Sequence, residues 1–243
     1  MAGKSCLEAK ELKKIYKGRP VVDGVSLVLE SSSITGLLGP NGAGKTTTFY
    51  MIAGLIRPDG GRVFLDGMDI TDMPMHRRAN MGLTYLPQEP SVFRKLTVFE
   101  NIEVVFENKG LPKKERKLKV KELLEEMGLS SLAAQKAESL SGGERRRVEV
   151  ARALATDPKF ILLDEPFAGV DPLAVADIQS IIKGLRSRGI GIFLSDHNVR
   201  ETLTVCDSAY IVSSGKVIEF GSPEKIANSK IARKIYLGEE FSL

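Results

Sequence analysis

Three short, largely apolar runs constrain the fold more than any other feature of the sequence: Ile34–Leu38, Phe160–Leu163 and Gly191–Leu194. Each ends where glycine, acidic or other polar residues begin, and none has the regular alternation of a half-exposed strand. Strands without a polar face are typical of a parallel sheet that helices cover on both sides. The sequence therefore predicts an α/β fold with a mostly parallel central sheet. It also predicts a helix from Thr46 to Ile56 and two hairpins, one spanning Arg62–Ile70 and one spanning Ala209–Phe220 around Ser214 and Gly215.

The stretch from about residue 88 to 158 differs in character and has helical period. Pro112 can begin a helix and Gly128 can end it, and the apolar positions between them follow i, i+3, i+4 and i+7: Val120, Leu123, Leu124 and Met127. Most other faces of this helix carry lysines, namely Lys113, Lys114, Lys117, Lys119 and Lys121. Such a run is usually a solvated surface, although an acidic partner or lipid headgroups would also suit it. We expect a single domain in which a helical insert, about 88–158, interrupts a core formed by 1–87 and 159–243.

Composition excludes several classes of protein. The 35 Lys and Arg residues exceed the 31 Asp and Glu residues by only four, which is too few to indicate nucleic-acid binding. No apolar run approaches the roughly 18 residues that span a bilayer, and the first residues lack the apolar stretch of a signal peptide. Cys6 and Cys206 have no metal-ligand spacing. We therefore expect a soluble protein of a reducing compartment.

The segment Gly39–Thr46, GPNGAGKT, follows one of the apolar runs and fits the pattern Gly-x-x-x-x-Gly-Lys-Thr. Glycines in such a loop let backbone N–H groups point at phosphate oxygens, and the next helix contributes the positive end of its dipole. Lys45 would neutralise the β- and γ-phosphates and Thr46 would hold Mg²⁺ through its hydroxyl. The alternative is a glycine-rich turn. The candidate nucleotide-binding residues here are Gly39, Pro40, Asn41, Gly42, Ala43, Gly44, Lys45, Thr46 and Thr47.

Acidic and polar residues follow the other two apolar runs. Asp164 and Glu165 come directly after the first, where burying two acids is costly unless their charge is used. Because successive strand residues point to opposite sides, we expect Asp164 to approach Mg²⁺ and Glu165 to position or deprotonate the attacking water. His197 follows the second run and could donate a hydrogen bond to a γ-phosphate. The alternative for Asp164 and Glu165 is an acidic turn, and the alternative for His197 is an ordinary histidine without a role in the site. His76 does not follow an apolar run, and we expect it at the surface.

The segment Leu140–Glu144 begins a further helix. Ser141 and Glu144 form a capping-box pattern, and Val148, Ala151 and Ala155 predict the buried face of the helix. Two glycines at the helix start, Gly142 and Gly143, would also leave backbone N–H groups open to an anion.

This segment resembles the signature sequence of the ATP-binding cassette (ABC) ATPases, and other elements of that family occur in order along the whole chain. Tyr16 resembles the residue that stacks on adenine, and Gln88 the glutamine that links Mg²⁺ and water to a transmembrane partner. Asp171 lies in a segment similar to the loop that crosses between paired subunits, and His197 resembles the switch histidine. The resemblance implies a P-loop NTPase fold: a RecA-like core, an antiparallel β subdomain and a helical subdomain.

The resemblance also implies how such a chain works. In the family, ATP lies between Lys45 of one subunit and Ser141 and Gly143 of a second copy, so the expected unit is a homodimer with two composite sites. The implied activity is Mg²⁺-dependent ATP hydrolysis that drives two transmembrane subunits from the cytoplasmic face of the inner membrane.

Residues 85–98, together with the terminal segment Tyr236–Phe241, are similar to ATPases of the lipopolysaccharide export systems of double-membraned bacteria. In those systems Phe93 and Arg94 would lie in the groove that receives a helix of the membrane subunit, and Phe241 would help to hold the ATPase pair together. The alternatives are that Phe93 is an ordinary core residue and that Phe241 belongs to a disordered tail. Rival functions are an importer ATPase for branched-chain amino acids, a soluble cassette ATPase acting on DNA or ribosomes, and a phosphoryl-transferring kinase.

Overall fold

A computed structural model describes residues 4–170, 172–239, 241 and 243, without the side chains of 172–174. The chain forms two compact units, described separately below. The core unit comprises the chain up to Tyr85 and from Lys159 onwards, and the helical unit is Leu86–Pro158. No helix within the described ranges is long and apolar enough to cross a membrane.

Strands and helices alternate along most of the chain. In chain order the elements are β1 (Cys6–Tyr16), β2 (Arg19–Glu30), β3 (Ile34–Leu38), α1 (Lys45–Ala53), β4 (Gly60–Leu65), β5 (Met68–Asp69), α2 (Met75–Asn80), β6 (Leu83–Leu86), α3 (Val98–Asn108), α4 (Lys113–Glu126), α5 (Gly142–Leu154), β7 (Phe160–Asp164), α6 (Pro172–Ser187), β8 (Gly191–Ser195), α7 (Val199–Val205), β9 (Ser208–Ser213), β10 (Lys216–Gly221), α8 (Pro223–Asn228) and α9 (Lys230–Ala232). A π-helical turn, Arg233–Leu237, follows α9.

The central sheet of the core unit has six strands in the order β10-β9-β3-β8-β7-β6. Strand β3 runs parallel to β8 and β9, and β7 runs parallel to β8. The three strands predicted from unbroken apolar runs, β3, β7 and β8, are buried along their whole length. The predicted hairpin around Ser214 is also present as β9 and β10, so the α/β prediction is confirmed.

A second sheet of the core unit is antiparallel, in the order β2-β1-β4-β5. Its alternating residues, among them Leu7, Leu27 and Val63, share one apolar cluster with Phe49 of α1 and Phe193 of β8. The rings of Phe49 and Phe193 stack with their centroids 5.0 Å apart. Helix α1 is therefore held between the two sheets by aromatic and aliphatic burial.

Helix α1 is shorter than the sequence predicts. The predicted helix runs from Thr46 to Ile56, up to the breaker Arg57–Gly61, but the helix ends at Ala53 and Gly54 adopts a left-handed conformation with φ 81°. The left-handed Gly54 ends the helix, and the Leu55 N–H donates back to the Tyr50 carbonyl at 2.9 Å. The buried Arg78 adds to this cap, because its guanidinium donates to the carbonyls of Met51 and Ile52 at 2.9 and 2.6 Å. A side chain at Gly54 would meet the Arg78 Nε at 2.6 Å.

The helical unit contains α3, α4 and α5. Both α3 and α5 begin with a capping box, Thr97 with Glu100 and Ser141 with Glu144. The prediction that α4 begins after Pro112 and ends before Gly128 is confirmed. Buried residues include the predicted apolar positions Val120, Leu123, Leu124, Val148, Ala151 and Ala155.

We predict that Arg78→Met destabilises the protein by about 3 kcal/mol, because it leaves carbonyl groups buried without a donor. Arg78 donates to four backbone carbonyls, those of Met51, Ile52, Thr71 and Met73. Urea denaturation monitored by circular dichroism measures the effect. The exposed neighbour Arg77, changed to Met, is the matched control and is expected to alter the midpoint little; equal midpoints for the two variants would contradict the capping role.

Candidate functional site

The loop between β3 and α1 is enclosed so tightly that two of its glycines cannot be replaced. Gly39 has φ 152°, and a side chain there would overlap the carbonyl oxygen of Val212. Gly44 has φ 97°, and its added Cβ would lie 2.5 Å from the carbonyl oxygen of Val21. The Gly215 N–H donates to the Ala43 carbonyl at 2.9 Å. The loop conformation is thus fixed by the strands that surround it.

Lys45 is buried at the start of α1, and its ammonium group donates to the carbonyls of Gly39 and Pro40 at 2.6 and 3.1 Å. Burial lowers its pKa, while the charges of Glu165 and Asp196 act in the opposite direction. Asn41, Gly42 and Thr46 are exposed, Pro40 and Thr47 are half-buried, and Ala43 and Gly44 are buried. The first turn of α1 offers backbone N–H groups that have no partner within the helix. The arrangement can hold an anion.

Asp164 ends β7 and is only 4% exposed. Its two carboxylate oxygens each accept a hydroxyl hydrogen bond, from Ser195 at 3.2 Å and from Tyr85 at 3.1 Å. Burial raises the pKa of Asp164, and these hydroxyl donors counteract part of that shift. The carboxylate is therefore held in one orientation, by two donors that no local sequence pattern predicts.

Glu165 lies beyond the end of β7 in a left-handed conformation with φ 44°. Its N–H donates to the Ser195 carbonyl at 2.7 Å, which helps to stabilise an otherwise unfavourable backbone. The side chain is 27% exposed, and its Oε2 lies 3.5 Å from the Nδ1 of His197. The two acids do have different surroundings, as expected. Their surroundings differ because the chain turns at Glu165, and not because successive strand residues point to opposite sides, as predicted.

Asp196 is a site residue for which sequence reasoning assigned no role. It is completely buried after β8 and accepts hydrogen bonds from the N–H groups of Phe167 and Asn198 at 2.9 and 2.8 Å. Burial raises its pKa, and these N–H donors favour the charged form. Asp196 therefore ties the loop after β7 to the loop that carries His197. The sequence signal that could have identified it is an acidic residue directly after an apolar strand.

In the helical unit, Gln88 is exposed shortly after β6. The Ser141 hydroxyl accepts from the Glu144 N–H at 3.3 Å, and Glu144 accepts in return from the Ser141 N–H at 2.8 Å. Side chains added at Gly142 or Gly143 would meet open space. The helix start is thus accessible to a ligand.

Phe93, also in the helical unit, is 47% exposed and hence not a core residue. Its backbone N–H and carbonyl bind the buried Asn101 side chain at 2.8 and 3.1 Å. The Arg152 guanidinium lies 4.5 Å from the ring centroid and donates to the Ser91 carbonyl. Phe93 and Arg94 are therefore both exposed at the surface, and Asn101 and Arg152 hold Phe93 in place.

The remaining predicted residues are more scattered. Tyr16 is half-exposed at the turn from β1 to β2, with the Lys14 ammonium 5.6 Å from its ring centroid. Phe241 packs against a buried cluster that includes Leu38 and Ile211. His76 is exposed, as expected. Asp171 lies outside the described residues. No cluster of three or more His, Cys, Asp or Glu side chains that could hold a metal occurs in the described part of the chain.

Comparisons with known proteins agree with this geometry. The family model for the ABC transporter matches residues 22–168. The lipopolysaccharide export system ATP-binding protein LptB of Haemophilus influenzae is 57% identical over 98% of this chain and 100% of its own length. Its counterpart from Escherichia coli is 54% identical over 98% of this chain and 99% of its own length.

Solved structures give the same result. An ATP-binding cassette of an ABC transporter in its ADP conformation superposes with a TM-score of 0.86 at 30% identity, covering 97% of this chain and 99% of its own. A nucleotide-free cassette has a TM-score of 0.84 at 31% identity, covering 97% and 100%. Since family model, full-length relatives and fold agree with the phosphate loop and signature helix, this chain belongs to the ATP-hydrolysing subunits of the ABC transporter family.

Proposed function

We propose that this chain powers lipopolysaccharide export as the ATPase of an ABC transporter. The observation that carries the proposal is the gathering of Lys45, Asp164, Glu165 and His197 after three adjacent parallel strands of one sheet. In full-length relatives at 54–57% identity, the same kind of chain is the ATP-binding protein of a lipopolysaccharide export system. The level of identity supports export rather than amino-acid import.

The residues of the core unit support a division of labour in hydrolysis. The loop from Gly39 to Thr47 binds the phosphates through its N–H groups and Lys45. Glu165 is partly exposed and positions or deprotonates the attacking water. His197 contacts Glu165 and donates a hydrogen bond to the γ-phosphate. Tyr16 stacks on the adenine.

The donor set also fits Mg²⁺, which commonly takes one or two protein oxygens alongside phosphate oxygens. Asp164 supplies a pre-oriented carboxylate and Thr46 an exposed hydroxyl, with Gln88 as a further ligand. When bound, the ion would neutralise charge on the β- and γ-phosphates.

The proposed working form is a homodimer, because one chain has one phosphate loop and one signature helix. The exposed start of α5 supports this proposal, in which Ser141, Gly142 and Gly143 complete the ATP site of a second copy. Gln88, Phe93 and Arg94 contact the two membrane subunits, which places the protein at the cytoplasmic face of the inner membrane. An exposed aromatic held rigidly by its neighbours is well suited to such a contact.

We predict that Glu165→Gln binds ATP but hydrolyses it at least 100-fold more slowly, and accumulates as a nucleotide-bound dimer. Turnover of labelled ATP and light scattering measure the two effects. Lys45→Ala is the contrasting variant, since it should lose ATP affinity in calorimetry. Near-normal turnover by the Gln variant would refute the role of Glu165.

Tyr85→Phe tests the orientation of Asp164. Because only a hydroxyl is lost, we expect affinity for MgATP to fall about 3–10-fold, while affinity for ATP in EDTA is unchanged. Isothermal titration in the Glu165→Gln background measures both. Tyr210→Phe removes another buried hydroxyl, one bonded to the Val28 backbone, and is the matched control. An equal loss with and without Mg²⁺ would argue against the orienting role.

Phe93→Ala should yield a stable, ATP-competent protein that no longer co-purifies with its membrane subunits, because the aromatic anchor is lost. Solubilised membranes from its own source and affinity capture of the tagged chain provide the measurement. Phe220→Ala, a half-exposed phenylalanine of β10, is the control. If the Phe93 variant still co-purified with the membrane subunits, Phe93 would not be part of the contact.

A further inference from the structure

Helix α4 exposes a group of lysines along one of its edges. At about 100° per residue, Lys114, Lys117 and Lys121 project to one edge, and Leu118 lies beside them. Glu115, Glu122 and Glu126 project to another edge of the helix beside Lys119, and Glu125 projects close to the lysines. The third side, containing Val120, Leu123 and Leu124, is buried. The edge with the three lysines therefore has a net positive charge.

The three lysines are exposed, and none forms an ion pair with any residue in the described ranges. Arg116 of the same helix behaves differently, since it lies within 3.7 Å of Glu103 and 3.5 Å of Glu107. Three like charges within two helical turns, without counter-ions from the protein, favour an anionic partner.

Leu118 makes this edge more than a charged surface. Its side chain is 60% exposed, the largest exposed fraction recorded for a large apolar residue in the described chain. It lies in an open concavity of about 470 Å³ whose wall consists of Pro112, Lys114, Glu115, Lys117, Leu118 and Lys121. The aliphatic stems of the lysines form apolar walls, and the ammonium groups can reach to the rim.

We infer that this basic edge of α4, namely Lys114, Lys117, Leu118 and Lys121, binds the anionic headgroups of a lipid bilayer. The ammonium groups pair with lipid phosphates while Leu118 enters the boundary of the acyl chains. This combination of lysines and a large apolar residue is that of helices lying in a membrane interface. The edge from Lys114 to Lys121 is roughly 10 Å long, so the contact is weak alone and gains from two copies in one assembly.

Lipid suits the edge better than nucleic acid does. Glu115, Glu122 and Glu125, which flank the lysines on the same helix, would repel a phosphate backbone that extended around the helix. Duplex DNA recognition draws mainly on many phosphate contacts, and an exposed leucine contributes nothing to them. The inference goes beyond the proposed transport function, because it requires neither nucleotide nor membrane subunits.

Flotation of the purified full chain with vesicles tests the inference. We expect binding to vesicles with about 30 mol% phosphatidylglycerol and none to pure phosphatidylcholine, at about 0.1 M salt. Each lysine near an anionic surface contributes a factor of about five, so the triple Lys114/Lys117/Lys121→Ala variant should bind about 100-fold more weakly. Leu118→Ser should weaken binding several-fold, and raising the salt should weaken the wild type.

The matched control replaces three exposed lysines of the core unit, Lys183, Lys230 and Lys234, by Ala, and therefore has the same net charge. It should bind vesicles as the wild type does. ATP hydrolysis by both triple variants should equal that of the wild type, which shows that they fold and separates this test from that of the proposed function. The inference would be overturned if the wild type did not bind anionic vesicles. It would also be overturned if the two triple variants lost vesicle binding equally. Binding to duplex DNA but not to vesicles, abolished by the α4 substitutions, would assign the edge to nucleic acid instead.

Discussion

Parallel pairing of β3, β8 and β7 is the constraint on which the site depends. Parallel strands end at the same edge of a sheet, so the segments after these strands must meet there. Each strand is buried on both faces, which fixes its place in the sheet. The phosphate loop, the Asp164–Glu165 pair and His197 lie together because the strands that precede them are neighbours in the sheet.

Buried charge is the second organising principle. Asp164, Asp196 and Arg78 are almost completely removed from water, and each has hydrogen-bond partners from elsewhere in the chain. An unpaired buried charge would be strongly destabilising, so each of these residues connects segments that are distant in sequence. Asp196 joins the loops that follow β7 and β8, and Arg78 caps the end of a helix. These buried charges therefore fix the local fold around them.

The helical unit uses different interactions. Its capping boxes begin α3 and α5, and Asn101 and Arg152 brace the segment around Phe93 through backbone hydrogen bonds. These side chains hold an exposed aromatic in place instead of burying it. On α4, one edge exposes three lysines and a leucine to solvent. The surface of this unit therefore includes an exposed aromatic side chain and an exposed basic edge.

The sequence alone determined the α/β class, the phosphate loop, the acid pair and both hairpins, because apolar runs, glycine spacing and turn residues are local signals. It also indicated the capping box at Ser141 and the bounds of α4. Only the tertiary structure brought Arg78 to the last carbonyls of α1, since this arginine lies 24 residues beyond Gly54. In the same way, Tyr85 and Ser195 became partners of Asp164, and Asp196 a link between loops, only once β6, β7 and β8 lay side by side. Such contacts arise between residues far apart in the chain, and no local pattern of residue types encodes them.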